Sequence, residues 1–216
     1  KSLHIDLETY SSAPIAKTGA FKYVQSPDFE ILLLAYNVDG SPVEIIDLAQ
    51  GEKLPSWLVD VIKNPEYVKH AYNAAFEWYC LSKFFGELLP IEQWRDTMLH
   101  GLYCGYTAGL DATGKALGLP EDKRKLLIGK ALIRYFCAPC NPTKTNGGRT
   151  RNYPKHDLAK WELFKEYCKG DAGNYLNNNA LQSRIGRIEE QVDRQVPQSP
   201  DNTEQYNADS LSEFLL

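Results

Sequence analysis

The feature that most constrains the fold is a continuous apolar run, ILLLAY, at residues 31–36. Its length and composition are typical of a buried strand in the interior of a sheet. A turn signal, DGS, follows at residues 39–41, and residues 43–47 are predicted to return as a hairpin partner. The chain is therefore expected to fold around a sheet.

The order of the other predicted elements indicates which kind of sheet this is. Further strands are predicted at residues 3–7 and 67–71, with a helix over 54–63 between them. Helices are then predicted over 76–88, 94–106, 111–117, 122–136 and 158–170, with a loop at 137–157. Strands that come early, with a helix between two of them, favour an α/β domain with a mixed sheet.

Charge is distributed unevenly along the 216 residues. The net charge is -4, but residues 115–169 contain thirteen Lys or Arg and only five Asp or Glu. A basic face beside an acidic pocket suits a protein that cleaves a phosphate backbone, although Lys-rich helices are also commonly just solvated. No apolar run is long enough to span a membrane, and five scattered cysteines suit a reducing compartment. A cytoplasmic protein is therefore expected.

Two carboxylates in the first predicted strand are the first sign of a metal site. Asp6 and Glu8 are two residues apart, so their side chains leave the same face of the strand. Carboxylates held this close repel each other, and a shared divalent cation is a physical reason to keep them there. The alternative is a pair of solvent-facing acids on an edge strand. The apolar neighbours Ile5 and Leu7 argue against it, because they indicate a strand packed on its other face.

Two later segments carry acidic residues in comparable settings. Asn73 and Glu77 flank a predicted strand-to-helix junction, although an acid in the first turn of a helix also favours the helix dipole. Tyr167 and Asp171 are four residues apart near the end of the last predicted helix and so share a face. An acid at that end opposes the dipole, which favours a functional role. Three such segments in this order predict metal-dependent cleavage of a phosphodiester.

Six sequence segments resemble, in the same order, segments of the 3′-5′ exonuclease domain of the DEDD superfamily. The resemblance is to the subgroup with a tyrosine in its third motif. Within it the chain is most similar to the N-terminal proofreading domain of phage and prophage family A DNA polymerases. The resemblance covers roughly residues 2–171. The segments are HIDLETYSS at 4–12, HAYNAAFEWYCL at 70–81, WRDTML at 94–99, GKALIRYF at 129–136, NGGRTRNYPKHD at 146–157 and WELFKEYCKGD at 161–171.

The resemblance implies an RNase H-like fold and a site with two Mg²⁺ or Mn²⁺ ions. These ions would activate a water molecule and stabilise the leaving 3′ oxygen, releasing nucleoside 5′-monophosphates. The metal ligands implied are Asp6, Glu8, Glu77 and Asp171. Tyr167 is expected to orient the attacking water rather than to act as a base, because tyrosine has a pKa near 10.

Substrate contacts are expected from two places. The basic loop offers side chains for the phosphates, and the segment around the second motif offers an amide and an aromatic ring for the terminal nucleotide. The residues expected to bind substrate are Asn73, Phe76, Lys144, Arg149, Arg151 and Lys155. The expected substrate is DNA with single-stranded or frayed 3′ ends, with a replication or polymerase protein as a further partner.

The chain departs from the resemblance in two respects. The second motif more often carries Asp where this chain has Glu77. Residues 172–216 contain none of the sixteen lysines and are predicted to be a divergent polar tail, helical in part or disordered, after an exonuclease domain at 1–171. Since a segment of that size cannot hold a polymerase, a polymerase portion is expected to be absent. The alternatives are a catalytically weakened nucleic-acid-binding module and an RNA-trimming exonuclease of the same fold.

Overall fold

A computed structural model describes residues 1–106, 109, 112–113, 116 and 129–176, the last six as backbone only. Its centre is a five-stranded mixed sheet of order β3-β2-β1-β4-β5. β1 pairs antiparallel with β2 and parallel with β4, while β2–β3 is antiparallel and β4–β5 parallel. The strands are β1 (Ser2–Tyr10), β2 (Glu30–Val38), β3 (Glu44–Asp47), β4 (Val68–Ala71) and β5 (Trp94–Asp96).

Six α-helices longer than one turn are assigned within the described part of the chain. They are α1 (Ile15–Val24), α2 (Ser56–Lys63), α3 (Ala75–Phe85), α4 (Thr97–Tyr103), α5 (Gly129–Phe136) and α6 (Leu158–Leu176). This mixed sheet flanked by helices confirms the predicted α/β fold class. No helix in the described residues is long and apolar enough to cross a membrane.

The sheet buries a separate apolar cluster on each face. Alternate residues of β2 divide between the clusters, as a strand covered on both sides requires: Leu34 and Tyr36 join one, Leu33 and Ala35 the other. The first cluster includes residues of α1, α2 and α3, and the second includes residues of α5 and α6. The ILLLAY run is thus an interior strand, as its composition predicts.

Helix α6 is fixed against the second face of the sheet by one buried polar contact. The apolar side of this helix, formed by Trp161, Phe164 and Cys168, is completely buried. The Trp161 indole Nε1 donates a hydrogen bond of 2.7 Å to Oδ2 of Asp47 at the end of β3. Because a buried indole N–H needs an acceptor, this bond sets where α6 lies along the sheet.

The sequence patterns misplace one element and miss another. Residues 94–96 are predicted as the start of a helix, but they form β5, and the helix starts at Thr97 with Asp96 as its N-cap. Three residues are too short a segment for a periodic signal, and pairing with β4 decides their structure. Helix α1 was not predicted, and it is interrupted at Gly19, which has a positive φ of 76°. The predicted helix over 111–117 and residues 122–128 of the next fall largely outside the described residues.

The last helix continues beyond the third motif. The sequence predicts its end at Gly170, yet α6 passes through Asp171 and reaches Leu176. The weak helix propensity of residues 172–176 does not end it. The prediction of a divergent polar tail concerns residues that lie mostly outside the described range.

A stacked histidine pair joins β1 to β4 and makes the fold sensitive to acid. His4 and His70 are register partners, with ring centroids 4.7 Å apart and nearly parallel planes. Burial lowers the pKa of His4 to about 4. Burial, helped by the positive charges of His4, His100 and Arg95, lowers the pKa of His70 to about 3. Both rings are therefore neutral in the folded protein at neutral pH.

We expect the free energy of unfolding to fall as the pH is lowered below about 6.5. The unfolded chain takes up protons near pH 6.5, whereas the folded chain resists them down to about pH 4, so acid favours unfolding. At pH 5 His4 alone would cost about 2 kcal/mol relative to pH 7. Urea unfolding at pH 7, 6 and 5 measures this loss. His70→Gln should reduce the loss of unfolding free energy between pH 7 and pH 5. The same loss in the variant as in wild type would contradict the assignment of this acid sensitivity to the histidine pair.

Candidate active site

Two of the predicted metal ligands lie together on the central strand of the sheet. Asp6 and Glu8 project from the same face of β1, and Glu8 is only 8% exposed. The register of β1 against β2 shifts between Glu8 and Thr9. A bulge at this point bends the strand directly after the second carboxylate, as bulges beside functional sites often do.

Glu77 brings a third carboxylate to the same place. It lies in the first turn of α3 and is 4% exposed. Burial raises the pKa of Glu77 well above its usual value, and the nearby charge of Asp6 is the next largest cause. Its Oε2 atom has no hydrogen-bond partner among the described residues. A buried carboxylate oxygen in this condition is costly for the fold, and a bound cation would satisfy it.

Asn73 and Asp96 build the junction that carries Glu77. Asn73 has a positive φ of 64°, an uncommon conformation that Asn tolerates better than most residues. Its backbone N–H donates to Oδ1 of Asp96 at 3.0 Å, and the same oxygen caps α4 through the N–H of Met98 at 2.9 Å. Asp96 thus caps α4 and holds the junction at the same time. The Asn73 side chain is exposed, so it is free to meet a ligand from solution.

Two thiols contact the carboxylates of β1. The Cys168 thiol in α6 donates to Oδ2 of Asp6 at 3.6 Å, and the Cys137 thiol, just after α5, donates to Oε2 of Glu8 at 3.7 Å. Burial and the charge of Glu8 raise the pKa of Cys137 well above its usual value. These contacts dock both helices of the second layer onto the acidic residues.

Tyr167 lies next to Cys168 and is 1% exposed. Its ring is nearly parallel to that of Phe164, with 6.2 Å between the centroids. The other neighbour is Gly129, the first residue of α5, where a Cβ atom would lie 2.1 Å from Cε2 of the tyrosine. Asp171 follows three residues after Cys168 in α6, but its predicted role concerns a side chain outside the described set.

We expect Gly129→Ala to displace the Tyr167 ring, since a contact of 2.1 Å cannot be tolerated without movement. Overpacking of this kind destabilises a core by about 1–3 kcal/mol. Gly170→Ala is a matched control, because a Cβ atom there meets nothing within 4 Å and Ala is the better helix former. Thermal melts of both variants test the packing. Equal melting temperatures for the two would contradict it.

A cavity of about 450 Å³ opens beside Glu8. The Phe76 ring forms part of its wall and is held by the Tyr23 ring, with centroids 6.0 Å apart. The exposed Arg134 of α5 lines the same cavity. A hollow with an aromatic wall, a cationic side chain and an adjacent carboxylate cluster has the components that a terminal nucleotide requires.

The four predicted basic residues of the loop fall into two groups. Arg151 makes an ion pair with Glu30, and its guanidinium lies 3.7 Å from the centroid of the Tyr10 ring. Arg149 donates to Oδ1 of Asn152 at 2.8 Å and so holds the loop together. The side chains of Lys144 and Lys155, by contrast, are exposed. The structure thus gives both arginines partners within the protein and leaves both lysines open to solvent.

The donors around β1 fit a divalent cation. Among the described residues, the ligand atoms of Asp6, Glu8 and Cys168 form one group within 4.8 Å of one another. Glu77 adds a buried oxygen that lacks a hydrogen-bond partner. Carboxylate oxygens are the preferred ligands of Mg²⁺ and also suit Mn²⁺. No group of this kind is found around the Cys137–Cys140 pair in the described residues.

Sequence reasoning missed Arg134, Cys137 and Cys168. Arg134 is one of several basic residues in a helix, and nothing in the sequence separates it from its solvated neighbours. Cys168 follows Trp161 and Phe164 at helical spacing, so the sequence indicates only a core residue on the apolar side of α6. The pairing of each thiol with an acid more than a hundred residues away depends on tertiary structure alone.

Comparisons with known proteins bear on this geometry. No protein-family model matches the chain. A DNA polymerase of Bacillus phage SP02 is 48% identical over 189 residues, which make up 88% of this chain and 28% of the polymerase. The chain therefore spans less than a third of that relative's length, and the match is long enough to include part of residues 172–216.

Solved structures with a similar fold have much lower sequence identity. Brucella melitensis NrnC matches with a TM-score of 0.52 and 17% identity, over 99% of this chain and 81% of that one. The same protein with bound Mg²⁺ has a TM-score of 0.51 and 18% identity, with the same coverage. The apo form of a nuclease has a TM-score of 0.50 and 16% identity, over 99% of this chain and 80% of that one.

At such identities these structures establish the fold, and the polymerase establishes the relationship. The resemblance found in the sequence is thereby confirmed for relationship and fold: the chain is homologous over most of its length to part of a phage DNA polymerase, and it has an RNase H-like fold.

Proposed function

We propose that this chain is a metal-dependent 3′-5′ exonuclease that removes nucleoside 5′-monophosphates from DNA. The observation that carries the proposal is the pairing of Asp6 and Glu8 on one face of β1, with the buried Glu77 near enough for the charge of Asp6 to raise its pKa. One oxygen of Glu77 has no hydrogen-bond partner among the described residues. A fold does not by itself fix an activity, but a cluster of carboxylates beside a nucleotide-sized cavity gives this fold a chemistry.

In this proposal two divalent cations, Mg²⁺ or Mn²⁺, are held by Asp6, Glu8, Glu77 and Asp171. When bound, such cations supply an acidified water and neutralise charge on the leaving oxygen. Tyr167 is proposed to orient that water. Its ring is held in place by contacts with Phe164 and Gly129. The bound Mg²⁺ of NrnC supports a divalent cation for this fold, although the assignment rests on the residues of this chain.

The substrate is proposed to enter along the cavity beside Glu8. The Phe76 ring is a platform on which the terminal base can stack, and the side chain of Asn73 is exposed at the start of α3. Lys144 and Lys155 offer exposed charges for the backbone further along, with Arg149 and Arg151 shaping the loop that carries them.

DNA is preferred to RNA in this proposal because of the phage DNA polymerase relative. Single-stranded or frayed 3′ ends suit a site that takes one terminal nucleotide at a time. A polymerase or other replication protein is proposed as a partner, since the similar phage protein is itself a DNA polymerase. The site lies within the proposed nuclease domain of residues 1–171, in a protein that acts in the cytoplasm.

The test is a pair of 5′-labelled single strands, one DNA and one RNA of the same sequence, incubated with the protein and Mn²⁺. The proposal expects the DNA to shorten stepwise from its 3′ end and the RNA to shorten much more slowly. Faster shortening of the RNA would favour an RNA-trimming enzyme. Binding of DNA without shortening would favour a catalytically weakened binding module.

We expect Arg134→Gln to weaken DNA binding, because Arg134 is the cationic side chain on the cavity wall. Loss of one charge-assisted contact to phosphate should raise the KM for single-stranded DNA by roughly tenfold. It should also lower the salt dependence of binding by about one unit. Lys53→Gln, in a separate cavity, is the control. An Arg134→Gln enzyme with unchanged KM and salt dependence would exclude this contact.

A further inference from the structure

The acidic site of this chain contains a donor that the proposed hydrolysis does not use. The Cys168 sulfur lies 3.6 Å from Oδ2 of Asp6, and it falls with Asp6 and Glu8 into one group of ligand atoms within 4.8 Å. The residue is completely buried. Its sulfur therefore faces the carboxylates rather than the solvent.

We propose that Cys168 makes this site a mixed sulfur and oxygen site for a thiophilic divalent cation such as Zn²⁺ or Cd²⁺. The cation would be bound by the Cys168 sulfur together with Asp6 and Glu8. The thiol loses its proton to solvent as the sulfur–metal bond forms, so the atoms and charges balance without any oxidant or reductant. The inference uses the same carboxylates as the proposed exonuclease site and so rests on that site.

The geometry suits such a cation. A tetrahedral zinc ion with sulfur at about 2.3 Å and oxygen at about 2.1 Å holds those two ligand atoms about 3.6 Å apart. The Cys168 sulfur and the Asp6 oxygen already have this separation. The Glu8 oxygen lies within 4.8 Å of both atoms and completes a group of three donors.

A second observation points independently to a cation at this place. Glu77 is 4% exposed, and its Oε2 atom has no hydrogen-bond partner among the described residues. The charge of Asp6 raises its pKa, so Glu77 lies near that carboxylate. Glu77 is outside the group of ligand atoms around Cys168, so a water would fill the fourth position of a tetrahedral cation, and Glu77 could accept a hydrogen bond from that water.

The second thiol near the site provides a contrast. Cys137 contacts Glu8 at 3.7 Å, but it does not belong to the group of ligand atoms around Asp6. The nearby Cys140 thiol points elsewhere and donates to the backbone oxygen of Arg149. Cys137 is thus a hydrogen-bond donor that positions Glu8. A thiophilic cation held by Cys168 would occupy carboxylates that the hydrolysis needs and would inhibit it.

The experiment follows binding of Cd²⁺ to the metal-free protein by the ultraviolet charge-transfer absorption of a cadmium–sulfur bond. Wild type and Cys140→Ser, whose thiol donates to the backbone of Arg149 instead, should both develop the band with one equivalent of Cd²⁺. Cys168→Ser should lack it and bind Cd²⁺ at least roughly tenfold more weakly, because even outer partners of metal ligands change affinity by that factor.

Mn²⁺ binding, measured by electron paramagnetic resonance on the same samples, separates the possible failures. Binding of Mn²⁺ without a Cd²⁺ band in wild type would overturn the role of Cys168 and leave the exonuclease proposal standing. Retention of the band in Cys168→Ser, or its loss in Cys140→Ser, would also overturn it. Failure to bind either cation would overturn both proposals.

Discussion

Asp6→Asn is expected to abolish cleavage of DNA while leaving the protein folded. Asp6 interacts with the buried Glu77 carboxyl and shares a group of ligand atoms with Glu8, so its charge is central to any cation bound there. Removing that charge should lower the rate by about a thousandfold or more, which corresponds to roughly 4 kcal/mol of transition-state stabilisation. Single-turnover assays in Mn²⁺ measure this loss.

The control for Asp6→Asn is Asp60→Asn, the same change on the exposed face of α2. It should cleave at the wild-type rate. Asn has nearly the shape of Asp, so both variants should retain wild-type circular dichroism. A folded Asp6→Asn protein with wild-type activity would rule out the carboxylate site.

Glu77→Gln is expected to abolish cleavage and to stabilise the metal-free protein. Burial and the charges of Asp6 and Glu8 raise the pKa of Glu77, which means that the ionised carboxyl is disfavoured in the fold. Gln removes the charge and keeps the shape. A gain of about 1 kcal/mol in unfolding free energy is typical of relieving a destabilised functional site. The loss of activity should match that of Asp6→Asn.

The stability gain of Glu77→Gln should depend on pH. A raised pKa in the folded state means that the wild-type metal-free protein loses stability as the pH rises through that pKa. The difference in unfolding free energy between variant and wild type should therefore increase from pH 5 to pH 8. Saturating Mn²⁺ should reverse it, since only wild type is stabilised by binding. Glu92→Gln, an exposed acid before β5, should show neither effect. A difference in unfolding free energy that does not change with pH would contradict the raised pKa of Glu77 in the folded protein.

The elements that sequence predicts well here are those with strong local signals. The ILLLAY run and the alternation around Asp6 fix β2 and β1, because apolar period and length leave few other structures for them. The helix predicted over 76–88 ends earlier, at Phe85, because Gly86 takes a positive φ and closes it. By contrast β5 has three residues and depends on pairing with β4, and α1 is broken at Gly19.

The residues of the candidate site also differ in how well the sequence predicts their position. The pair Asp6 and Glu8 follows from strand geometry, because residues two apart share a face. Glu77 joins them only through the packing of α3 against the sheet, and its missing hydrogen-bond partner could not be read from the sequence. The arginines of the basic loop show the opposite case. They are predicted to contact phosphate, but they have partners within the protein, such as Glu30 for Arg151. Charge in a sequence does not say which cation is already paired.

The most direct measurement of the central claim is the product pattern from a 5′-labelled single-stranded DNA incubated with the wild-type protein and Mn²⁺. The exonuclease proposal predicts a ladder that shortens one nucleotide at a time from the 3′ end, with release of nucleoside 5′-monophosphates. Intact DNA after incubation with folded protein that binds Mn²⁺, or internal cuts without a ladder, would contradict it.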